Sequence, residues 1–111
     1  MPKHTNDRLQ GTLDLLILKV LARGGPQHGY AIAQRIHQAT DESLRIEEGS
    51  LYPALQRMAH EKWLRAQWGK TETGRKARFY TITPAGRRQL AEEEQRWGLL
   101  TEAVNRALRF A

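Results

Sequence analysis

The sequence predicts a mainly α-helical fold with a small β-hairpin, followed by a long C-terminal helix. Apolar residues recur at helical spacing in three short segments before residue 62, and their period changes to two between Leu64 and Ile82. Nothing then interrupts a helix from Pro84 to about Arg109. A chain of 111 residues has the length of one domain with an appended element.

The first predicted helix runs from Leu9 to Ala22 and stops at Gly24-Gly25-Pro26. Its apolar side chains cover most of its circumference instead of one stripe, so the helix has to be covered on several sides. A chain this short has little material left for that purpose, which favours cover by a partner chain. We therefore expect a homodimer interface that includes Leu9, Leu13 and Leu16.

Two further helices follow, from Gly29-Tyr30 to about Gln38 and from Gly49-Ser50 to about Glu61. Ser50 is expected to cap the third helix, with Pro53 in its first turn, where no helical hydrogen bond is lost. Three apolar residues of this helix keep the i, i+4, i+7 spacing of a buried face: Leu51, Leu55 and Met58.

The predicted hairpin pairs a strand from Leu64 to Trp68 with one from Arg78 to Ile82, across a long polar tip, Gly69 to Lys76. Thr83-Pro84 is typical of a helix start. In the last helix Leu90, Trp97 and Val104 recur every seven residues. Leu100 follows Trp97 by three residues, and Ala107 follows Val104 by three. This seam resembles a short coiled coil and predicts dimerisation. We divide the chain into residues 1–83 and a dimerisation helix, residues 84–111.

Three aromatic side chains lie beside these elements. Trp63 and Trp68 border the hairpin, and we interpret both as wedges that anchor it to the helices. Tyr30 is expected to pack between helices with its hydroxyl hydrogen-bonded, and a contact to phosphate is the alternative.

The charge balance predicts a polyanionic partner. Eighteen Lys and Arg against twelve Asp and Glu give a net charge of +6, although charge alone is weak evidence. The absence of cysteine excludes disulfides, thiolate zinc sites and thiol nucleophiles. No apolar run is long enough for a membrane span, and the N-terminus lacks the apolar core of a signal peptide. We expect a cytoplasmic protein that does not enter membranes.

Three helices followed by a basic hairpin form the winged helix-turn-helix plan, in which the third helix enters the major groove of double-stranded DNA. Gln56 can form two hydrogen bonds with adenine, and Arg57 can form two with guanine. Ser50 and Tyr52, at the start of the helix, are expected to contact phosphate. The whole predicted outward face consists of Ser50, Tyr52, Pro53, Gln56, Arg57 and His60.

The hairpin is predicted to be a clamp on the DNA backbone or minor groove. Between residues 65 and 78 it has five basic residues against one acidic residue, Glu72. Such charge gives affinity without base specificity. The basic residues are Arg65, Lys70, Arg75, Lys76 and Arg78.

Other classes of protein fit these features less well. A protein-binding winged helix would show a neutral wing, and a single-strand RNA binder needs aromatic residues on an open sheet. A membrane-surface helix would not balance its charges as the last helix does. Ser50 and His60 could be nominated for catalysis, but no nucleophile elbow or oxyanion loop accompanies them. We assign no enzymatic activity and no cofactor. Four histidines without paired spacing favour no metal site: His4, His28, His37 and His60.

Four segments together resemble the PadR family of transcriptional regulators. They are Leu13 to Leu18, His28 to Ile32, Gly49 to Leu55, and Ala77 to Tyr80 with Thr83 to Gly86. The third segment, Gly-Ser-Leu-Tyr-Pro-Ala-Leu, is the most specific. The resemblance extends from about residue 9 to residue 108 and is closest to the short subtype with a single C-terminal helix.

The resemblance implies a winged-helix domain, a C-terminal dimerisation helix and repression that a small molecule usually relieves. It also implies an inverted-repeat operator similar to ATGT…ACAT. In some multidrug-responsive relatives a tryptophan of the corresponding helix stacks on planar ligands between the subunits. That role is carried over to Trp97 alone, where a place in the dimer core is the simpler interpretation.

Overall fold

The computed structural model describes the backbone of residues 2–110 and the side chains of residues 11–110. The described chain is mostly helical with a small antiparallel sheet, which confirms the predicted fold class. None of the helices in this part of the chain is long and apolar enough to cross a membrane. The elements in order are α1 (Pro2–Gly24), β1 (Gln27–His28), α2 (Gly29–Ala39), α3 (Glu48–His60), β2 (Leu64–Lys70), β3 (Lys76–Ile82) and α4 (Pro84–Phe110).

The sheet has three strands in the order β1-β3-β2, all antiparallel. The two-residue strand β1 was not predicted; it pairs Gln27 with Tyr80 and His28 with Phe79. The hairpin register matches Leu64 with Ile82 and continues to Lys70 and Lys76. The strands are therefore longer than predicted, and the tip is shortened to residues 71–75.

One hydrophobic core joins α1, α2, α3 and the base of the hairpin. Helix α1 runs through it, with Ile17 and Leu18 fully buried. The core is made by fourteen apolar side chains: Leu13, Ile17, Leu18, Leu21, Ile32, Ile36, Leu51, Ala54, Leu55, Met58, Leu64, Tyr80, Ile82 and Leu90.

The start of α3 differs from the prediction. Its N-cap is Glu47, which makes no side-chain capping bond, so Ser50 is the third helical residue. Pro53 therefore lies inside the helix and not in its first turn. Because proline has no N–H, it cannot donate the usual bond to the carbonyl of Gly49.

The start of α4 is fixed against the hairpin. The Oγ1 atom of Thr83 accepts a bond from the N–H of Gly86 at 3.0 Å, as expected for a cap, and donates to the carbonyl of Lys62 at 2.6 Å. A Cβ atom on Gly86 would overlap the carbonyl of Trp63 and approach Ile82 Cγ1 to 2.8 Å. Glycine thus allows the first turn of α4 to lie directly on the chain that leads into β2.

Candidate nucleic-acid interface

The exposed face of α3 carries most of the residues that the sequence assigned to it. Leu51, Leu55 and Met58 are buried, which turns the opposite side of the helix outward. Tyr52 is 43% exposed at the start of this outward face. The other exposed members are Ser50, Pro53, Gln56 and His60.

Arg57 does not belong to that face, contrary to the sequence prediction. Its guanidinium turns inward and binds the Asp14 carboxylate of α1 through two bonds, of 2.6 and 3.0 Å. Only 9% of the Asp14 side chain is exposed, against 33% for Arg57. The two-bonded geometry fixes the orientation as well as the distance between the two helices. Arg57 therefore braces α3 against α1, and its guanidinium is engaged within the protein.

The surroundings of Asp14 place α4 beside this ion pair. Burial raises the pKa of Asp14; the hydrogen bond and charge of Arg57 oppose the increase, and the charge of Glu93 adds to it. Glu93 of α4 is itself held by Gln89 at 2.8 Å. The junction of α1, α3 and α4 is thus a charged cluster beside the apolar core.

The N-terminus of α2 supports the start of α3. Gly29 is buried, and a Cβ atom there would lie only 2.7 Å from Cε1 of Tyr52. Tyr52 is therefore positioned by close approach to the α2 backbone. His28 caps α2 by accepting the Ala31 N–H at its Nδ1 atom. Its ring meets the Phe79 ring edge-on at 5.3 Å between centroids.

Tyr30 does not pack between helices as expected. Its side chain is 62% exposed, and its hydroxyl accepts a bond from Nε2 of Gln34 at 2.8 Å. Tyr30 and Gln34 thus form a polar pair on the outer surface of α2, on the side that faces the hairpin cleft described below. The alternative interpretation, a contact to phosphate, is compatible with this position.

All five basic residues of the hairpin are exposed. The register places Trp68 opposite Arg78 and Lys70 opposite Lys76, and alternation puts these four side chains on one face. At the base of the hairpin the same face supplies Leu64 and Tyr80 to the core. Arg65 lies on the other face of β2 and Arg75 in the turn, so the predicted cations do not form a single row.

Trp68 is not an anchor of the hairpin, contrary to the sequence interpretation, because 65% of it is exposed. Two cations lie over its indole, Lys76 Nζ at 5.7 Å and Arg78 Cζ at 5.6 Å from the ring centroid. The anchoring role belongs to Trp63, which packs against the core, and to Phe79, whose ring covers Gly69.

A cleft of about 1060 Å³ separates the hairpin from α2 and α3. Aromatic and basic side chains share its walls, and two acidic residues, Glu48 and Glu72, also reach it. One wall carries Tyr52 and Gln56 of α3, and the opposite wall carries Trp68 and the hairpin cations. The lining cations are Lys70, Arg75, Lys76 and Arg78.

The six residues assigned to dimerisation whose side chains are described fall into two groups. Leu13 and Leu90 belong to the core of their own chain, and Leu16 is partly buried against it. Leu9 lies outside the described side chains. The remaining three project from the distal half of α4 and are about half exposed: Trp97 (49%), Leu100 (55%) and Val104 (47%).

A helix presented beside a basic hairpin, on a core of three helices, defines the winged-helix class of DNA-binding proteins. The model of the PadR-like family of transcriptional regulators matches residues 17–92. The chain belongs to this family. It is therefore a DNA-binding transcriptional regulator and not an enzyme.

The chain is also similar to a protein known from its sequence and to solved structures of transcriptional regulators. An uncharacterised protein of Lysinibacillus sphaericus is 31% identical over 90% of this chain and 91% of its own length. The structure of a transcriptional regulator from Clostridium thermocellum is 31% identical, with a TM-score of 0.81 over 90% of this chain and 96% of the other. A PadR-like regulator from Bacillus cereus is also 31% identical, with a TM-score of 0.75 over 92% and 96% of the two chains.

Sequence reasoning missed Asp14, the cap at His28 and the cation platform at Trp68. Asp14 carried a signal, because a carboxylate within an otherwise apolar helix requires a partner. The identity of that partner, 43 residues away, is a tertiary fact. Trp68 carried a weaker signal, since in the strand pattern it is the last apolar residue before the polar tip.

Proposed function

We propose that this protein is a repressor that binds a specific double-stranded DNA sequence as a homodimer. The observation that carries the proposal is the open cleft between the hairpin and helices α2 and α3, which presents Tyr52 and Gln56 of α3 opposite the cations of the hairpin. A helix fits the major groove of B-DNA, and a basic ribbon beside it can follow the phosphates. Residues 1–83 supply this reading surface, and residues 84–111 supply the pairing helix.

The residues have different roles in this proposal. Gln56 reads a base, because its amide matches the two hydrogen-bonding groups of adenine in the major groove. Ser50 and Tyr52 contact phosphate at the start of the helix. Arg57 acts from within the protein by holding α3 in place. Arg65, Lys70, Arg75, Lys76 and Arg78 supply charge-dependent affinity.

The homodimer rests on the distal half of α4, where Trp97, Leu100 and Val104 leave apolar surface uncovered. A two-fold pair would present two α3 helices to an inverted repeat with half-sites roughly 10 bp apart. We propose an ATGT…ACAT-like repeat, which is the operator that the resemblance to the PadR family implies. A regulator of this kind acts in the cytoplasm, beside the chromosome.

The test is binding to a labelled duplex that carries the repeat, measured by fluorescence anisotropy beside a scrambled duplex. Gln56→Ala should reduce the preference between the two duplexes by roughly 1–3 kcal/mol. Lys70→Ala and Arg75→Ala should weaken binding to both duplexes alike and make the salt dependence less steep. Gln38→Ala, an exposed glutamine of α2 outside the cleft, is the matched control. If the hairpin variants changed base preference and Gln56→Ala did not, the division of roles would be wrong.

We further propose that a planar aromatic small molecule acts as effector between the subunits at Trp97. A large flat indole in a seam that also contains Ala107 packs unevenly, and a ligand stacked there would wedge the helices apart. Because each DNA-binding domain, residues 1–83, joins α4 at Thr83-Pro84, such a movement would change the distance between the two α3 helices. That distance would then no longer match the fixed half-site spacing of the DNA, and binding would weaken. To act usefully the ligand must prefer one state by about 1–3 kcal/mol.

Tryptophan fluorescence with planar phenols tests this effector site. Quenching is expected with the wild type and should be lost in Trp97→Phe, together with weaker DNA binding when the ligand is present. Quenching that persists in Trp97→Phe would assign the signal to Trp63 or Trp68. Ligands that bind without changing DNA affinity would contradict the allosteric role.

A further inference from the structure

We propose that Trp68 holds the side chains of Lys76 and Arg78 in a fixed orientation for binding the DNA backbone. The two cations are then ordered before DNA binds. The proposal rests on the proposed DNA-binding function and names the residue that organises the hairpin part of it. Trp68 is a positioning residue in this account: it acts through the two cations.

The exposure of Trp68 excludes a structural role in the core. Leu64 and Tyr80 lie on the same face of the hairpin and are buried at its base, whereas 65% of Trp68 is exposed. The opposite face at the same level is already anchored, because the Phe79 ring packs on Gly69 and meets the His28 ring. A large exposed indole on the cleft side of the hairpin is thus not needed to hold the hairpin together.

The geometry around the indole explains its presence. Lys76 and Arg78 occupy alternate positions of β3, and both lie within 6 Å of the ring centroid of Trp68. Arg78 is the direct cross-strand partner of Trp68, and Lys76 is its diagonal neighbour. Each cation–π contact at an exposed site favours the arrangement in which the cation rests on the ring by roughly two- to fivefold.

The charges at the end of the hairpin repel one another, and the indole opposes this repulsion. Lys70 and Lys76 are paired directly across the two strands, and like charges in that relation repel. The indole gives Lys76 a favourable contact on the diagonal, away from Lys70. Without such a contact, long basic side chains sample many rotamers in solution. Their conformational entropy is lost when they bind DNA, which weakens the affinity. Trp68 therefore orders both cations before DNA arrives.

The test is the affinity of the full-length protein for the inverted-repeat duplex at one low, fixed salt concentration. Trp68→Leu keeps every charge but removes the ring, and it should weaken binding about tenfold, from two contacts of the size given above. Trp68→Phe keeps a ring and should show a smaller loss. Gln67→Leu introduces the same residue one position earlier, on the opposite face of β2, and should bind like the wild type. Thermal melting of each variant checks that the fold is retained.

A double-mutant cycle separates positioning from direct contact. In the Lys76→Gln/Arg78→Gln background, Trp68→Leu should cause no further loss, because the indole then has no cation to hold. A tenfold loss that persists in this background would overturn the proposal and assign Trp68 to a direct DNA contact. Wild-type affinity in Trp68→Leu would also overturn it. Failure of the wild type to bind duplex DNA would instead contradict the DNA-binding role itself.

Discussion

The two halves of this molecule differ in how completely one chain buries its apolar residues. Among the side chains that the structure describes, the eight largest fully buried ones all lie between Ile17 and Met58. Between Trp97 and Phe110, by contrast, six large apolar side chains are from 47% to 87% exposed. They are Trp97, Leu99, Leu100, Val104, Leu108 and Phe110.

One chain thus covers the apolar residues of its first three helices, whereas it leaves those of the distal part of α4 exposed. Exposed apolar residues at single positions are ordinary, but four that share one face of a helix, as Trp97, Leu100, Val104 and Leu108 do, are typical of an interface. The described structure also shows where the change occurs. As far as Glu94, whose carboxylate binds Lys19 at 2.8 Å, α4 is tied to α1.

The largest effect is expected from a charge in the exposed part of α4. Trp97→Asp should dissociate the proposed dimer or leave a poorly folded chain. Loss of a central interface tryptophan commonly costs roughly 2–4 kcal/mol, which is about 30- to 1000-fold in the dissociation constant. Gln95→Asp adds the same charge two residues earlier, on the side of the helix opposite Trp97, Leu100 and Val104, and should leave the mass in solution unchanged. If sedimentation showed equal effects for the two variants, the face that carries Trp97 would not be the dimer interface.

The second prediction concerns the ion pair between Asp14 of α1 and Arg57 of α3. Asp14→Ala removes one member of the ion pair and leaves the guanidinium of Arg57 without its carboxylate. We expect a loss of about 2–3 kcal/mol in the free energy of unfolding, less than the roughly 3–5 kcal/mol of a fully buried pair because Arg57 is 33% exposed. Urea unfolding measures it. An unchanged midpoint would show that packing alone holds α3 against α1.

The third prediction tests the joint between the two halves. Gly86→Ala forces a methyl group against the Trp63 carbonyl, and backbone in this position cannot move aside easily. Destabilisation of about 1–3 kcal/mol is expected, as for overpacked cores. Gly49→Ala is the control, since a Cβ atom there meets nothing within 4 Å and alanine favours helix. Thermal unfolding should therefore separate the variants, and a Gly86→Ala protein as stable as Gly49→Ala would contradict the close approach.

The smallest expected effect is a pH dependence from Asp14. Its pKa is raised in the folded chain, mainly by burial, so the folded state holds this proton more tightly than the unfolded state. The stability from this group is then complete below the unfolded pKa and is lost as the pH rises through the folded pKa. The difference in free energy of unfolding between wild type and Asp14→Asn should accordingly decrease over that interval. A difference that increases with pH would mean that Arg57 outweighs burial.

The sequence predicts the elements of this fold well, because their signals are local. Helical spacing identified the buried face of α3, and Thr83-Pro84 identified the start of α4. The failures concern contacts between distant segments. Arg57 borders the buried face of α3, and only the position of Asp14 on α1 decides that it turns inward. A two-residue strand such as β1 has no periodicity at all. Trp68 looked like an anchor because the sequence does not show where the core ends along β2.

We propose that a second copy of the chain covers the distal part of α4. Sedimentation equilibrium of the wild-type protein at micromolar concentration, without DNA, measures whether it does. We expect a species of twice the 12.8 kDa chain mass, reduced to a single chain or an unfolded species by Trp97→Asp. A well-folded wild-type species of 12.8 kDa would mean that α4 does not pair with a second copy.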